Sequence, residues 1–209
     1  FSITGSGAVT CTFTDTKFIV GTPTATPSTI DSGQSSSLSA TFSGGTSPYA
    51  CQWLQKAPGA GSYSNLGSSS PCTSPASTLT GALSIVGSWS FEVRVTDSAG
   101  TPVTVTSDAA TVTVNSELAA PTVSASPGTV DQGQSSSLTS SAVTTGTSPY
   151  SYQWLGKGPS DGDFSAISGA TSTTYTFSTS TSTATGAWSF KLRVTDSAGT
   201  PVTVTSDAA

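Results

Sequence analysis

The chain has 209 residues and only 8% of them are charged, against about 25% in an ordinary soluble domain. It contains no His, which excludes Ser-His-Asp and Cys-His catalytic arrangements. Six Lys and Arg stand against 11 Asp and Glu, a net charge of −5 that argues against binding nucleic acid. No apolar run reaches the roughly 18–20 residues needed to span a membrane. We therefore expect a protein that is not an enzyme and needs no cofactor or metal.

The composition is typical of an exported protein. Ser and Thr together account for 80 of the 209 residues, and there are three Cys. The chain starts at Phe1 rather than Met, from which we expect that a secretion leader has been removed. These features predict an extracellular or cell-surface location, where disulfides persist.

The N-terminal segment, residues 1–14, reads FSITGSGAVTCTFT. Apolar and polar residues alternate along it, which is the pattern of a β-strand with one buried face. We expect this strand and a linker to occupy residues 1–21.

The next segment, residues 22–115, also predicts strands. Trp89, Phe91, Val93 and Val95 alternate with polar residues, and Gly- and Pro-containing turns separate the strand patterns. No sustained helical period is present. Many short strands without helices indicate a β-sandwich.

Residues 116–209 repeat the same sequence with a period of 99 to 101 residues. WSFEVRVTDSAGTPVTVTSDAA at 89–110 returns as WSFKLRVTDSAGTPVTVTSDAA at 188–209, with two changes in 22 positions. The motifs STIDSGQSSSLSA and SPYACQWLQKAPG return in the same order. Two copies of about 100 residues predict two tandem domains, an all-β fold.

Each copy resembles an immunoglobulin-like domain of the kind found in tandem in archaeal and bacterial surface proteins. The resemblance covers residues 22–114 and 121–209. It depends on a G-Q-S-S-S-L strand, a Q-W-L strand with Trp53 or Trp154, and the hairpin that contains R-V-T-D-S-A-G. It implies that both Trp side chains lie in the core.

Cys51 and Cys72 are candidates for a disulfide within the first copy, with Cys11 left over. Cys51 precedes Trp53 by two residues, so both side chains should face the core. The alternative is three buried thiols that pack as small apolar side chains.

The two copies differ at their last strand. In the first copy VTVTSDAA at 103–110 continues as TVTVN at 111–115, whereas in the second copy VTVTSDAA is residues 202–209. The alignment predicts that the second domain lacks the end of its last strand, and residues 8–13 (AVTCTF) align with residues 109–114 (AATVTV). An unpaired edge is a template for another strand.

We therefore hypothesise a structural subunit of an extracellular filament, with identical subunits joined head to tail by N-terminal strand donation. The chain bears a looser resemblance to donor-strand-complemented, pilus- or thread-like filament subunits. The donor side chains would be Phe1, Ile3, Val9, Cys11 and Phe13. The acceptor groove would include Trp188, Phe190, Leu192 and Val194, with Val202 and Val204 nearby. Either residues 1–7 or residues 8–14 could enter, and the alignment favours 8–14.

Other interpretations stay open at this stage. The chain could be cut from a longer repeat array, the N-terminal strand could fold back into its own chain, or it could be an extra edge strand of the first domain. The competing function is an adhesin or spacer module that contacts a cell surface or glycans, for which Tyr63 and Phe164 are the candidate aromatic residues.

Asp161 and Asp163 could hold Ca²⁺, although a solvated turn is the commoner meaning of this pattern. Glu92 and Lys191, at equivalent outer positions, could pair between packed subunits.

Overall fold

A computed structural model describes residues 17–209 as eighteen β-strands, with no helix in that range. No helix in this range is therefore long and apolar enough to cross a membrane. The predicted donor strand, residues 1–14 with Phe1, Ile3, Val9, Cys11 and Phe13, lies outside the described residues. The rest of the chain folds into two β-sandwiches, each with its own hydrophobic core.

The first sandwich comprises eleven strands. They are β1 (Ile19–Val20), β2 (Thr24–Thr26), β3 (Thr29–Asp31), β4 (Ser37–Ala40), β5 (Phe42–Ser43), β6 (Tyr49–Lys56), β7 (Ser64–Cys72), β8 (Ala76–Leu79), β9 (Gly87–Thr96), β10 (Thr104–Thr106) and β11 (Ala110–Asn115). A six-stranded sheet has the order β3-β11-β9-β6-β7, with β10 also paired to β9. Strands β2, β4 and β8 form a separate three-stranded sheet, and β1 pairs with β5.

The second sandwich comprises seven strands. They are β12 (Val123–Ser126), β13 (Ser135–Ser140), β14 (Ser151–Lys157), β15 (Ser165–Ala166), β16 (Thr174–Ser178), β17 (Ser189–Thr195) and β18 (Thr203–Thr205). One sheet has the order β15-β14-β17-β18 and the other β12-β13-β16.

The buried faces follow the period-two pattern of the sequence. In β9 the residues Trp89, Phe91, Val93 and Val95 are buried, while their neighbours are more exposed. Trp154 is completely buried, and Trp53 is 6% exposed. The expectation that both Trp side chains are core residues is confirmed, because alternating apolar positions face the opposite sheet.

The first sandwich contains a disulfide between Cys51 on β6 and Cys72 at the end of β7. Cys51 is 4% exposed, and both Cys residues belong to the same core. Tyr152 takes the place of Cys51 in the second sandwich, so this link is confined to the first.

Reduction should therefore destabilise the first sandwich selectively. The bond joins residues 21 apart, and closing a loop of this length stabilises by about 3 kcal/mol in the loop-entropy model. We expect Cys51→Ala with Cys72→Ala to lower the unfolding temperature of the first sandwich and to leave the second unchanged, as measured by calorimetry. The second sandwich, which contains no Cys, is the internal control. Equal losses in both sandwiches would contradict this assignment.

Candidate functional site

The last strand of the first sandwich, β11, closes the sheet edge beside β9. It pairs antiparallel with β9, with Val112 opposite Trp89 and Val114 opposite Gly87. Its end also pairs in parallel with β3, with Val114 opposite Ile30. The strand is therefore held by backbone hydrogen bonds on both sides.

The inward side chains of β11 fill the core. Val112 and Val114 are completely buried, as is Ile30 on β3, and Ala110 is 7% exposed. Trp89 is also buried, with Nε1 donating to the carbonyl oxygen of Ile85 at 2.9 Å. One segment thus completes both the backbone ladder and the apolar core.

The equivalent edge of the second sandwich is closed only at its first position. Ala209 stands where Ala110 stands in the first, and its N–H and carbonyl both bond to the backbone of Phe190, at 2.9 and 3.1 Å. Within residues 17–209 no strand pairs with residues 186–188, and residues 129–131 form no strand. A cleft of about 1080 Å³ lies there, bordered by both segments. We call it the acceptor cleft.

Aromatic and aliphatic side chains line the acceptor cleft. Trp188 is half-buried, unlike Trp89, and its ring lies 5.0 Å from that of Phe177. Phe177 also packs against Phe190, at 4.9 Å between ring centroids. Val130 is half-buried where Ile30 is fully buried. The core of the second sandwich is therefore partly open at this cleft.

The structure places the predicted acceptor residues at different points along the hairpin. The structure places Trp188 and Phe190 in the wall of the cleft, but Leu192 and Val194 are completely buried in the core. Strand β18 pairs with the C-terminal part of β17, residues 193–195, with Val204 opposite Val194. Val202 lies just before β18. Ser206 and Ala209 bond to the backbone of Leu192 and Phe190, so the free edge lies before β17, at residues 186–188.

Sequence reasoning missed the other walls of the cleft. Thr129 and Val130 border it on one side, and Val123, Ala125 and Phe177 line its floor. The sequence repeat could have identified residues 129–131 as one wall, because they align with β3, the parallel partner of β11. That partnership depends on a parallel pairing that alternation alone does not reveal.

The two sandwiches meet in a junction centred on Asp31. The Thr147 hydroxyl donates to Asp31 Oδ1 at 2.7 Å and accepts from Asn115 Nδ2 at 2.9 Å. Asp31 is 1% exposed, and its Oδ2 receives no hydrogen bond from the described N–H and O–H groups. The carboxyl of Asp196 is its neighbour there. A proton on Asp31 would satisfy this pair by donation to Asp196.

The pKa values of these two carboxyls are shifted in opposite directions. Burial, the adjacent Asp196 carboxyl and the charge of Glu117 raise the pKa of Asp31 to about 6, against a lowering contribution from Thr147. Burial also opposes ionisation of Asp196, but hydrogen bonds from Asp31 and from backbone N–H groups lower its pKa overall. The contact of Asp31 with Thr147 joins residues that are 116 apart in the sequence.

The remaining candidate residues have local roles. Asp161 Oδ2 accepts from the N–H of Gly158 at 2.8 Å, and no group of three or more potential metal ligands exists among the described residues. Tyr63 and Phe164 are half-buried beneath Lys side chains, with Lys56 Nζ 5.2 Å from the Tyr63 ring. Lys191 Nζ lies 4.9 Å from the Phe164 ring. Glu92 is half-buried on β9.

No protein-family model matches the chain, and no curated protein matches it in sequence. Solved structures do resemble it. A marsupial T cell receptor is 12% identical with a TM-score of 0.55, covering 91% of this chain and 71% of the receptor. Murine CEACAM1b is 13% identical with a TM-score of 0.41, covering 92% of this chain and 97% of the other. The likeness to the receptor shows the fold: the chain consists of immunoglobulin-like β-sandwiches in tandem.

The junction should be weakened as the pH rises from 4 to 7. An Asp whose pKa is raised on folding binds its proton more tightly in the native state, so stability falls as pH rises between 3.8 and about 6. Since one pKa unit corresponds to about 1.4 kcal/mol, we expect a loss of about 1–3 kcal/mol. Asp31→Asn should flatten this dependence in thermal unfolding, and the exposed Asp108→Asn should not. An unchanged pH profile in Asp31→Asn would contradict the assignment.

Proposed function

We propose that the chain is a structural subunit of an extracellular filament. Residues 8–14 of one copy enter the acceptor cleft of the next. The observation that carries this proposal is the position of the cleft. It lies in the second sandwich, at the place equivalent to the one that β11 fills in the first. Strand addition of this kind is an established mode of recognition. The disulfide between Cys51 and Cys72 supports an extracellular location.

The register of β11 specifies the contacts of the donor. Val9, Cys11 and Phe13 align with Ala110, Val112 and Val114, the inward residues of β11. Ala209 already occupies the position of Ala110, so within the donated segment 8–14 Val9 meets Ala209 at the mouth of the cleft and residues 10–14 lie deeper in it. Cys11 then lies opposite Trp188, and Phe13 opposite Gly186.

Side-chain sizes support this register. In the first sandwich Val114 stands opposite Ile30. In the proposed contact the larger Phe13 replaces Val114, and the smaller Val130 replaces Ile30. A core tolerates such exchanges best when total volume is kept. The donor is thus matched to the second sandwich rather than to the first.

The gain from closing the cleft is large on the scale of domain stability. Burying an apolar side chain contributes about 1.5–3 kcal/mol, and each backbone hydrogen bond adds about 1 kcal/mol. A whole domain is stable by only about 5–15 kcal/mol. Two or three donated side chains with their ladder bonds would therefore determine whether the second sandwich persists.

The alternative function is an adhesin or spacer module within a longer surface protein, in which other residues of the same polypeptide close the cleft. It predicts a monomer with selective glycan or cell-surface binding. Tyr63 and Phe164 give it little support, because both rings are half-buried beneath Lys side chains.

Deletion of residues 1–14 should abolish assembly. We expect filaments of the full chain in electron micrographs and only monomers of the truncated chain, with the second sandwich unfolding first. A synthetic peptide of residues 1–14 should restore the unfolding temperature of the second sandwich. The same peptide with Asp at positions 11 and 13 is the control, because two buried carboxylates oppose binding. Polymerisation of the truncated chain would refute the proposal.

Cross-linking can test both register and donation between copies. Thr113 lies opposite Ser88, so Thr12 of the donor should lie opposite Ala187. In a Cys11→Val background, mixing a Thr12→Cys chain with an Ala187→Cys chain should give disulfide-linked dimers. The control is Ser165→Cys in place of Ala187→Cys, because Ser165 is exposed on β15, away from the acceptor cleft.

The same experiment separates donation from folding back. A chain that carries both Thr12→Cys and Ala187→Cys should give a ladder of cross-linked oligomers on a denaturing gel. A cross-linked monomer from the double variant, with no dimer from the mixture, would show that the strand folds back into its own chain.

A further inference from the structure

The junction between the two sandwiches brings together two distinct faces. The tail face of the first sandwich contains Pro27, Asp31 and Gln34, and the head face of the second contains Thr147, Asp196, Gly199 and Thr200. Gln34 Nε2 donates to the carbonyl oxygen of Thr200 at 2.6 Å, and the N–H of Thr200 donates to Gln34 Oε1 at 3.4 Å. Thr147 Oγ1 donates to Asp31 Oδ1. These contacts use one end of each sandwich.

The chain contains a second copy of each face, a tail face on the second sandwich and a head face on the first. The tail face of the second sandwich has identical residues, Pro127, Asp131 and Gln134, and both Asp131 and Gln134 are exposed. Its internal geometry is the same, since Gln134 Oε1 accepts from the N–H of Asp131 at 3.1 Å, as Gln34 Oε1 does from Asp31 at 3.3 Å.

The head face of the first sandwich also repeats that of the second. It contains Thr46, Asp97, Gly100 and Thr101, which are identical to Thr147, Asp196, Gly199 and Thr200. The carboxyl of Asp97 accepts from the N–H groups of Thr46 and Val103, at 3.0 and 2.7 Å, as Asp196 does from Thr147 and Val202. Thr46 is exposed, whereas Thr147 is buried in the junction. Within residues 17–209, one tail face and one head face are therefore left exposed.

The polypeptide also enters both sandwiches in the same way. Leu118 packs on Gly146 at the entrance of the second, so closely that an added Cβ would lie 2.9 Å from the Leu118 side chain. Phe18 packs on Gly45 at the entrance of the first, with an equivalent distance of 3.1 Å. Four residues lead from Val114 to Leu118, and five lead from Phe13 to Phe18. A donor strand in the acceptor cleft would therefore hold the first sandwich of its own copy beside the second sandwich of the neighbouring copy, much as β11 holds the second sandwich beside the first.

We propose that neighbouring copies in the filament meet through a repeat of this junction, with the tail face of one second sandwich against the head face of the next copy's first sandwich. This inference rests on the proposed function and adds a second contact to strand donation. The partner is a second copy of this chain, because the named contact residues of both faces are identical to those of faces that already fit each other within it.

Glycine distinguishes the two head faces sharply. A Cβ added at Gly199 would overlap the ring of Pro27 in the other sandwich, whereas a Cβ added at Gly100 meets nothing within 4 Å. Gly100 would acquire such a contact, with Pro127 of the neighbouring copy, only when the proposed junction forms. Gly100→Ala is therefore neutral for an isolated chain and obstructive for the assembled one.

The test compares polymerisation of the full chain with that of Gly100→Ala. We expect the variant to raise the concentration needed for filament formation at least tenfold, as measured by sedimentation and electron microscopy. Gly61→Ala is the matched control, because Gly61 is another first-sandwich glycine with nothing within 4 Å of an added Cβ. Unchanged polymerisation of Gly100→Ala would overturn the inference.

Two further measurements keep the inference separate from strand donation. Peptide 1–14 should bind the Gly100→Ala chain lacking residues 1–14 as tightly as it binds the parent, since the acceptor cleft is unaltered. Gln134→Ala should also raise the polymerisation concentration, because it removes the equivalent of the Gln34 contact. Cross-linked dimers between Thr12→Cys and Ala187→Cys chains, with no effect of Gly100→Ala or Gln134→Ala, would leave donation intact and refute the repeated junction. A full chain that forms neither dimers nor filaments would refute both.

Discussion

The structure depends on closure of one sheet edge. In the first sandwich β11 lies between β9 and β3, so a single six-residue strand satisfies two rows of backbone groups and buries Val112 and Val114. Buried backbone groups must be paired, and an apolar core must be covered, if a sandwich is to persist. Both requirements meet at this edge. A difference of one strand there changes the sandwich from closed to open.

The two sandwiches illustrate this constraint within one chain. Their hairpins from Trp89 and from Trp188 differ at two of 22 positions, yet Trp89 is buried and Trp188 is half-buried. Strand β9 begins at Gly87, whereas the equivalent β17 begins only at Ser189, three positions later in the repeat. Because the local sequences are nearly the same, the difference follows from what lies beside them. Strand formation here is a property of the pair of strands rather than of one segment.

Much of the fold was predictable from the sequence. Alternation located the buried face of β9, and the repeat predicted two similar sandwiches with Trp53 and Trp154 in their cores. The cleft was predicted only in part, because Trp188 and Phe190 follow from the hairpin but Val123 and Phe177 belong to the other sheet. The junction was not predicted at all. Asp31, Thr147 and Asp196 are far apart in sequence, and a buried carboxyl pair has no local signature.

The closed first sandwich has a consequence for the shape of any assembly made by strand donation. Its own β11 occupies the edge that could otherwise accept a foreign strand, so among the described residues a chain offers a single acceptor cleft. If each chain also donates one strand, as we propose, each subunit would have two neighbours. Such a polymer would not branch, and its two ends would differ chemically, with an unfilled cleft at one and an unused strand at the other. Growth would therefore have a direction built into the subunit itself.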